Sequence, residues 1–184
     1  MSRPPIGRVP LPDAWPPFAS APRDACPPTG HTAELDALDL RILRLLQSDG
    51  RVSNLKLAAL LGVRPAVARE RVRQLTRAGY LLGYAAVLDP RKLGAGVLVF
   101  TKVRLDKSAP GVADAFCAAV QVRPEILECH AVAGDCDYLI KTRAADIDAY
   151  RGLLASLIWS LPGVRDTRTF AVMEEVKNNA PLAL

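Results

Sequence analysis

Residues 53–77 constrain the fold more than any other stretch, because they are patterned as two short helices joined by a tight turn. The first helix carries three leucines at the i, i+3, i+4 spacing of one helical face: Leu57, Leu60 and Leu61. Ser53 or Asn54 is suited to cap its N-terminus. Gly62 ends it, because glycine adopts the left-handed conformation without steric cost. Pro65 begins the second helix, where the first position needs no backbone N–H.

The second helix has an apolar face and a basic face. Its inward positions are occupied by Ala68, Val72 and Leu75. At about 100° per residue, the opposite face collects Ala66, Arg69, Glu70, Arg73 and Arg77. A short helix, a glycine turn and an arginine-rich second helix are typical of a DNA-binding helix-turn-helix, since arginine suits both guanine edges and phosphates. The alternative is an αα-hairpin whose basic face is only solvated.

Two residues of this second helix have alternative roles. Glu70 either accepts a hydrogen bond from a cytosine amino group or pairs with Arg73 on the same face, and the ion pair is favoured. Arg71 falls beside the inward positions. It is therefore interpreted as a structural contact within a helical domain, with a phosphate contact as the alternative.

The positive charge of the chain is concentrated on the segment that contains these helices. Residues 35–80 hold nine arginines and lysines against four acidic residues, whereas the two signs balance in 1–34 and in 81–184. The net charge of +5 therefore lies entirely on this segment. A localised basic surface of this kind displaces counterions from a polyanion, which favours double-stranded DNA as the partner.

The remaining composition points to a cytoplasmic protein without a metal site, a cofactor or catalytic residues. The four cysteines (Cys26, Cys117, Cys129 and Cys136) show no C-x-x-C spacing and are expected to be reduced. Cys117 and Cys129 are expected to lie in the core. No apolar run approaches the length of a membrane helix, and the N-terminus lacks a signal peptide, so no membrane partner is expected.

The N-terminal part divides into a tail and a helical domain. Residues 1–34 hold nine of the fifteen prolines and are predicted to be a disordered tail. A first helix over 36–49 is predicted from an apolar stripe and from Asp36, which can cap it. With the two helices already described, it makes a three-helix domain over 35–80.

The C-terminal part alternates between strand and helix patterns. Residues 81–95 are predicted to be a linker that includes a short strand, and residues 179–184 a C-terminal tail. Between them, 96–178 read as β-α-β-β-α-β, the order of a ferredoxin-like sandwich in an α+β protein. One face of such a sheet has no helices, and we expect a second subunit to cover it.

Several motifs together resemble the Lrp/AsnC family of bacterial transcriptional regulators. They are LQSDGRVS at 46–53, RV…GYL…GY at 71–84, GDCDYLIKTR at 134–143 and LPGV…DTRTF at 161–170. The resemblance covers residues 35–178 and omits the proline-rich tail. It implies a homodimer that assembles further, often to an octamer, and a regulator associated with the nucleoid that controls genes of amino-acid metabolism.

The resemblance also implies that the ferredoxin-like domain binds a free amino acid, leucine or another small or apolar one. The expected contacts are in one loop: Gly134, Asp135, Cys136, Asp137 and Tyr138. A carboxylate and exposed backbone amides can hold the ammonium and carboxylate groups of an amino acid, and an apolar wall can select its side chain. An ordinary β-hairpin turn is the alternative for this loop.

Two positions depart from the pattern of the family. Arg64 stands where serine usually caps the second helix of the motif, which weakens the cap by about 1 kcal/mol unless Pro65 compensates. Arg64 is instead expected to reach a DNA phosphate. Cys136 replaces an aromatic residue in the loop, which leaves the identity of the amino acid open.

Two other functions are alternatives to a DNA-binding regulator. Sirohaem decarboxylases have a similar two-domain layout, but this chain has only two histidines, His31 and His130, and no nucleophile–base pair or phosphate loop. A sensor that has lost DNA binding would not need the arginine face. The sequence therefore favours a DNA-binding regulator over an enzyme.

Overall fold

The computed structural model describes residues 35–184, so the prediction of a disordered tail over 1–34 lies outside the described residues. The described chain forms two compact units. The first contains the residues up to Ala85 together with Ala180–Leu184, and the second contains Ala86–Asn179.

Three helices make up the first unit: α1 (Ala37–Ser48), α2 (Asn54–Leu61) and α3 (Pro65–Arg77). Their ends follow local chemistry. Asp36 caps α1 in a capping box, in which its carboxylate accepts from the Asp39 backbone N–H at 2.8 Å. Ser53 caps α2, and Gly62 ends α2 with a φ of 69°. Pro65 occupies the first turn of α3, as predicted.

The core of the first unit is made of aliphatic side chains from all three helices: Ile42, Leu43, Leu46, Leu57, Leu61 and Leu75. The prediction for Leu60 was wrong, because its side chain is 52% exposed. Ala58 is buried instead. Leu57, Ala58 and Leu61 share an arc of about 100°, and Leu60 lies outside it.

The prediction of a short strand in the linker was also wrong. Residues 81–89 form no β-strand, and Leu82 and Val87 are more than four-fifths exposed. A strand needs a neighbouring strand to satisfy its backbone hydrogen bonds, and the described residues of a single chain supply none at this segment.

The C-terminal tail predicted over 179–184 contacts α1, since the Leu182 N–H donates to Gln47 Oε1 at 2.7 Å.

The second unit is a four-stranded sheet with two helices, which confirms the ferredoxin-like prediction. Its elements are β1 (Val97–Leu105), α4 (Val112–Gln121), β2 (Ile126–Ala131), β3 (Tyr138–Ala144), α5 (Ile147–Ser156) and β4 (Val164–Ala171). The strand order is β2-β3-β1-β4, and all neighbours are antiparallel. A short 3-10 turn over Ile158–Ser160 follows α5, and β4 ends four residues before the predicted end.

The helices cover one face of this sheet. Phe116 of α4 and Ile140 of β3 are fully buried there. On the same face, the Tyr150 hydroxyl lies 2.8 Å from both Thr101 Oγ1 and Thr169 Oγ1, which satisfies polar groups inside the core.

Neither α4 nor α5 packs on the opposite face of the sheet. Phe100 and Phe170 are directly paired across β1 and β4 on this face, and Phe170 is 41% exposed. Within residues 35–184, none of the helices combines the length and apolarity needed to cross a bilayer.

Candidate nucleic-acid interface and ligand cleft

The outer face of α3 carries exposed arginines, as the sequence predicted. Ala68 and Leu75 are 0% and 4% exposed and fix the inward side of the helix. The exposed residues on the other side are Arg64, Ala66, Arg69, Arg73 and Arg77. A rigid helix therefore presents a row of cations to solvent, at a width that fits a DNA major groove.

Arg71 is directed elsewhere. Its guanidinium lies 3.0 Å from Asp36 Oδ2 and 3.3 Å from Asp39 Oδ2, so it ties α3 to the start of α1. This contact is structural, which was the favoured interpretation from the sequence. Arg64 makes no side-chain cap of α3, again as expected.

Glu70 is half-exposed and forms a bidentate ion pair with Arg73. Arg73 Nε donates to Glu70 Oε2 at 2.9 Å, and Arg73 Nη2 donates to Glu70 Oε1 at 2.7 Å. Gln74 Nε2 donates to the same Oε1 at 3.2 Å. The hydrogen bond from Arg73 lowers the pKa of Glu70, and its counterpart raises the pKa of Arg73, so both groups stay charged at neutral pH.

In the second unit, the loop between β2 and β3 borders a cleft of about 640 Å³. The ends of β1 and β4 form its other walls. Nine residues line it: Arg104, Leu105, Lys107, Gly134, Asp135, Cys136, Asp137, Arg165 and Asp166. Three cations and three carboxylates thus surround one cavity, an arrangement that suits a small zwitterion.

Two aspartates of the loop are held by basic side chains. Lys102 Nζ lies 2.8 Å from Asp135 Oδ1, and this hydrogen bond lowers the pKa of Asp135. Lys107 pairs with Asp137, and the Leu105 N–H donates to Asp137 Oδ2 at 2.8 Å. These two bonds lower the pKa of Asp137, the Lys107 contact being the larger cause. The loop is therefore fixed to β1.

Tyr138, which was predicted to contact the ligand, does not line the cleft. It is 7% exposed, its ring centroid lies 4.6 Å from that of Phe116, and its hydroxyl accepts from Cys117 Sγ at 3.4 Å. Successive residues of a strand point to opposite faces, so Tyr138 packs against α4. Gly134, Asp135, Cys136 and Asp137 do come together at the cleft.

The sequence missed the cationic wall of this cleft. Arg104 of β1 lies opposite Asp166 of β4 in the register of the two strands, and Arg165 immediately precedes Asp166 in sequence. Residues separated by about sixty positions meet only through that register. The spacing of charges along the sequence carried no signal for it.

Among residues 35–184, no group of three histidine, cysteine or acidic side chains is arranged to hold a metal ion. Cys117, Cys129 and Cys136 form no disulfide in this part of the chain. Cys136 is buried at the edge of the cleft.

Both units match known protein families. Residues 35–76 match the AsnC-type helix-turn-helix domain, and residues 98–182 match the Lrp/AsnC ligand binding domain. The leucine-responsive regulatory proteins of Salmonella typhimurium, Klebsiella pneumoniae and Escherichia coli are each 50% identical to the chain over 151 residues. That alignment covers 82% of this chain and 92% of each relative.

Solved structures show the same architecture. A transcriptional regulator of Neisseria meningitidis, solved in complex with L-Met, is 33% identical with a TM-score of 0.77, and the match covers 81% of this chain and 96% of that one. An AsnC family regulator from Agrobacterium tumefaciens is 30% identical with a TM-score of 0.75, over 80% and 96% of the two chains. Escherichia coli AsnC is 28% identical with a TM-score of 0.69, over 81% and 97%.

Proposed function

The chain belongs to the Lrp/AsnC family of DNA-binding transcriptional regulators, and from this premise we propose that α3 reads its DNA site and that an amino acid bound in the cleft controls it. The family consists of regulators and not of enzymes, so the decarboxylase alternative no longer applies. The observation that carries the proposal is the exposed arginine face of α3 on a helix-turn-helix.

We propose that α3 enters the major groove of double-stranded DNA. The residues of this DNA interface are Arg64, Ala66, Arg69, Glu70, Arg73 and Arg77. Ala66 is small enough to let the helix approach base edges closely, and its methyl group suits the methyl of thymine. Arg64, at the N-terminus of the helix, reaches a phosphate.

Alanine substitutions on α3 test this assignment. Arg69→Ala should weaken binding to the protein's own upstream DNA by roughly 5- to 100-fold if the side chain reads a base. Arg123→Ala, on the second unit, is the control for losing one positive charge. Equal effects of the two substitutions on affinity would show that Arg69 does not read a base.

We propose that the cleft holds leucine or another small or apolar free amino acid. Relatives are named for their response to leucine, and one solved neighbour holds L-Met, which supports this ligand class. Asp135, whose side chain is 70% exposed, suits the α-ammonium group. Arg165 and Arg104 suit the α-carboxylate. Leu105 and Cys136 contribute the apolar lining.

Calorimetric titration with individual amino acids tests the cleft. Arg165→Ala and Asp135→Asn should each reduce the affinity for the amino acid that binds, by roughly tenfold or more. Arg151→Ala, on α5 and outside the cleft, should leave it unchanged. If the two cleft variants bind as tightly as the wild type, the amino acid is bound elsewhere.

We further propose that the chain acts as a homodimer that assembles further, for example to an octamer, on the nucleoid in the cytoplasm, at genes of amino-acid metabolism. The sheet face with Phe100 and Phe170, which neither α4 nor α5 covers, supports self-association, as does the exposed linker over 82–89. Light scattering coupled to size-exclusion chromatography should give a mass of two chains or a multiple of two. A strictly monomeric protein at micromolar concentration would contradict the assembly.

A further inference from the structure

The ion pair on the DNA-facing side of α3 leaves Arg73 with one free edge. A guanidinium has five N–H groups in a planar fork. Glu70 accepts one from Nε and one from Nη2, at 2.9 and 2.7 Å. Three N–H groups remain, two on Nη1 and one on Nη2. They lie along the end of the side chain, where the two nitrogens can donate together to O6 and N7 of a guanine.

The position of Arg73 directs this edge away from the core. At about 100° per residue, Arg73 lies about 160° from Leu75 and about 140° from Ala68 around the helix. Those two residues are buried, so Arg73 stands near the middle of the outward face. Because the carboxylate holds the plane of the guanidinium, the side chain loses less rotamer freedom when it meets a base.

Glu70 places a negative charge on the side of α3 that is proposed to face DNA. A carboxylate on a surface that meets phosphates lowers non-specific affinity, because it cancels one of the cations that displace counterions. Gln74 donates to the same carboxylate at 3.2 Å, so the group is held from two positions of the helix. The loss of non-specific affinity that Glu70 causes is offset if Glu70 improves discrimination between base pairs.

We propose that Glu70 is a positioning residue that fixes Arg73 for reading a guanine, and that it thereby sets specificity at one base pair. This inference rests on the proposed function, in which α3 enters the major groove. Glu70 acts through Arg73 and makes no direct contact with a base.

The test measures the affinity of the full chain for its upstream site, for versions of that site with single G·C to A·T replacements, and for DNA of random sequence. The variants are Glu70→Gln, Glu70→Ala, Arg69→Ala, Arg73→Ala and the double variant with alanine at positions 70 and 73. Asp148→Asn is the matched control, because it removes one negative charge on α5, in the second unit. Thermal unfolding checks that each variant is folded.

We expect Arg73→Ala to abolish discrimination at one G·C pair, which corresponds to roughly 5- to 100-fold. Glu70→Gln and Glu70→Ala should reduce discrimination severalfold at the same pair while strengthening binding to random DNA. The double variant should discriminate no worse than Arg73→Ala. Asp148→Asn should leave discrimination unchanged.

Three results would overturn the inference, and they are distinguishable from failure of the proposed function. Full discrimination in both Glu70 variants would leave the ion pair without a role in recognition. Loss of discrimination at a pair that Arg73→Ala does not affect would mean that Glu70 itself reads a base. Loss of discrimination with Arg69→Ala but not with Arg73→Ala would keep α3 as the reading helix and remove Arg73 from it. A wild-type chain with no specific site would overturn both.

Discussion

Arg71 Nη2 on α3 lies 3.0 Å from Oδ2 of Asp36, the residue that caps α1. The same guanidinium reaches Asp39, whose residue is only 7% exposed. Arg71 thus ties α3 to the start of α1, while Arg69 and Arg73 on the same helix are exposed. The two roles can be separated by substitution.

Arg71→Ala should destabilise the first unit by about 1–2 kcal/mol, because Asp39 loses its charged partner while it stays buried. Urea unfolding measures this change. Arg69→Ala, an exposed arginine two positions earlier, should change stability by less than about 0.5 kcal/mol. Equal stability of the two variants would mean that the contacts of Arg71 contribute nothing.

If Arg77, in the last turn of α3, contacts a phosphate rather than a base, Arg77→Ala should weaken binding to specific and to random DNA alike. The slope of log affinity against log salt should fall by about 1. Arg151→Ala on α5 removes the same charge and should leave the slope unchanged. An unchanged slope in Arg77→Ala would exclude a phosphate contact.

Gly163→Ala should destabilise the second unit by roughly 2–4 kcal/mol. Gly163 has a φ of 71°, and an added Cβ would lie 2.1 Å from Val112 Cγ1. Gly152→Ala is the matched control, because Gly152 is within α5 and a Cβ there meets no atom within 4 Å. The control should be stabilised by about 0.5–1 kcal/mol. Equal melting temperatures of the two variants would contradict this reasoning.

Acid should remove a contribution of Asp36 to stability. The Asp39 backbone N–H, followed by the charge of Arg71, lowers the pKa of Asp36 in the folded chain. A lowered pKa contributes stability above the unfolded value of about 4, and this is lost as pH falls through the folded pKa. Asn can still cap the helix but has no charge, so the difference in melting temperature between wild type and Asp36→Asn should shrink from pH 7 to pH 3. A constant difference would show that the charge of Asp36 is irrelevant.

The parts of the fold that the sequence predicted are those set by neighbouring residues. Asp36, Ser53, Gly62 and Pro65 mark helix ends through local hydrogen bonds and backbone preferences, and the structure has them as predicted. The alternation of apolar residues likewise gave the order of strands and helices. The linker differs, because pairing of a strand depends on a partner that its own sequence does not contain.

The same distinction between local and long-range determinants applies to the two candidate sites. The outward face of α3 follows from helical periodicity, so its arginines were predicted correctly as exposed. The cleft depends on the register between β1 and β4, which brings Arg104 beside Asp166 and which no local pattern specifies. Tyr138 adjoins Asp137 in sequence but packs on the other side of the strand, against Phe116, and its predicted contact with the ligand stays a prediction.

The most direct test of the account is a titration of the protein onto its own upstream DNA, followed by gel shift and repeated with each common amino acid at millimolar concentration. The account predicts a specific complex whose affinity or stoichiometry is changed by one or a few small or apolar amino acids. It also predicts that Arg165→Ala removes this change without removing the complex. A specific complex that is indifferent to every amino acid would contradict the role of the cleft, and the absence of any specific complex would contradict the role of α3.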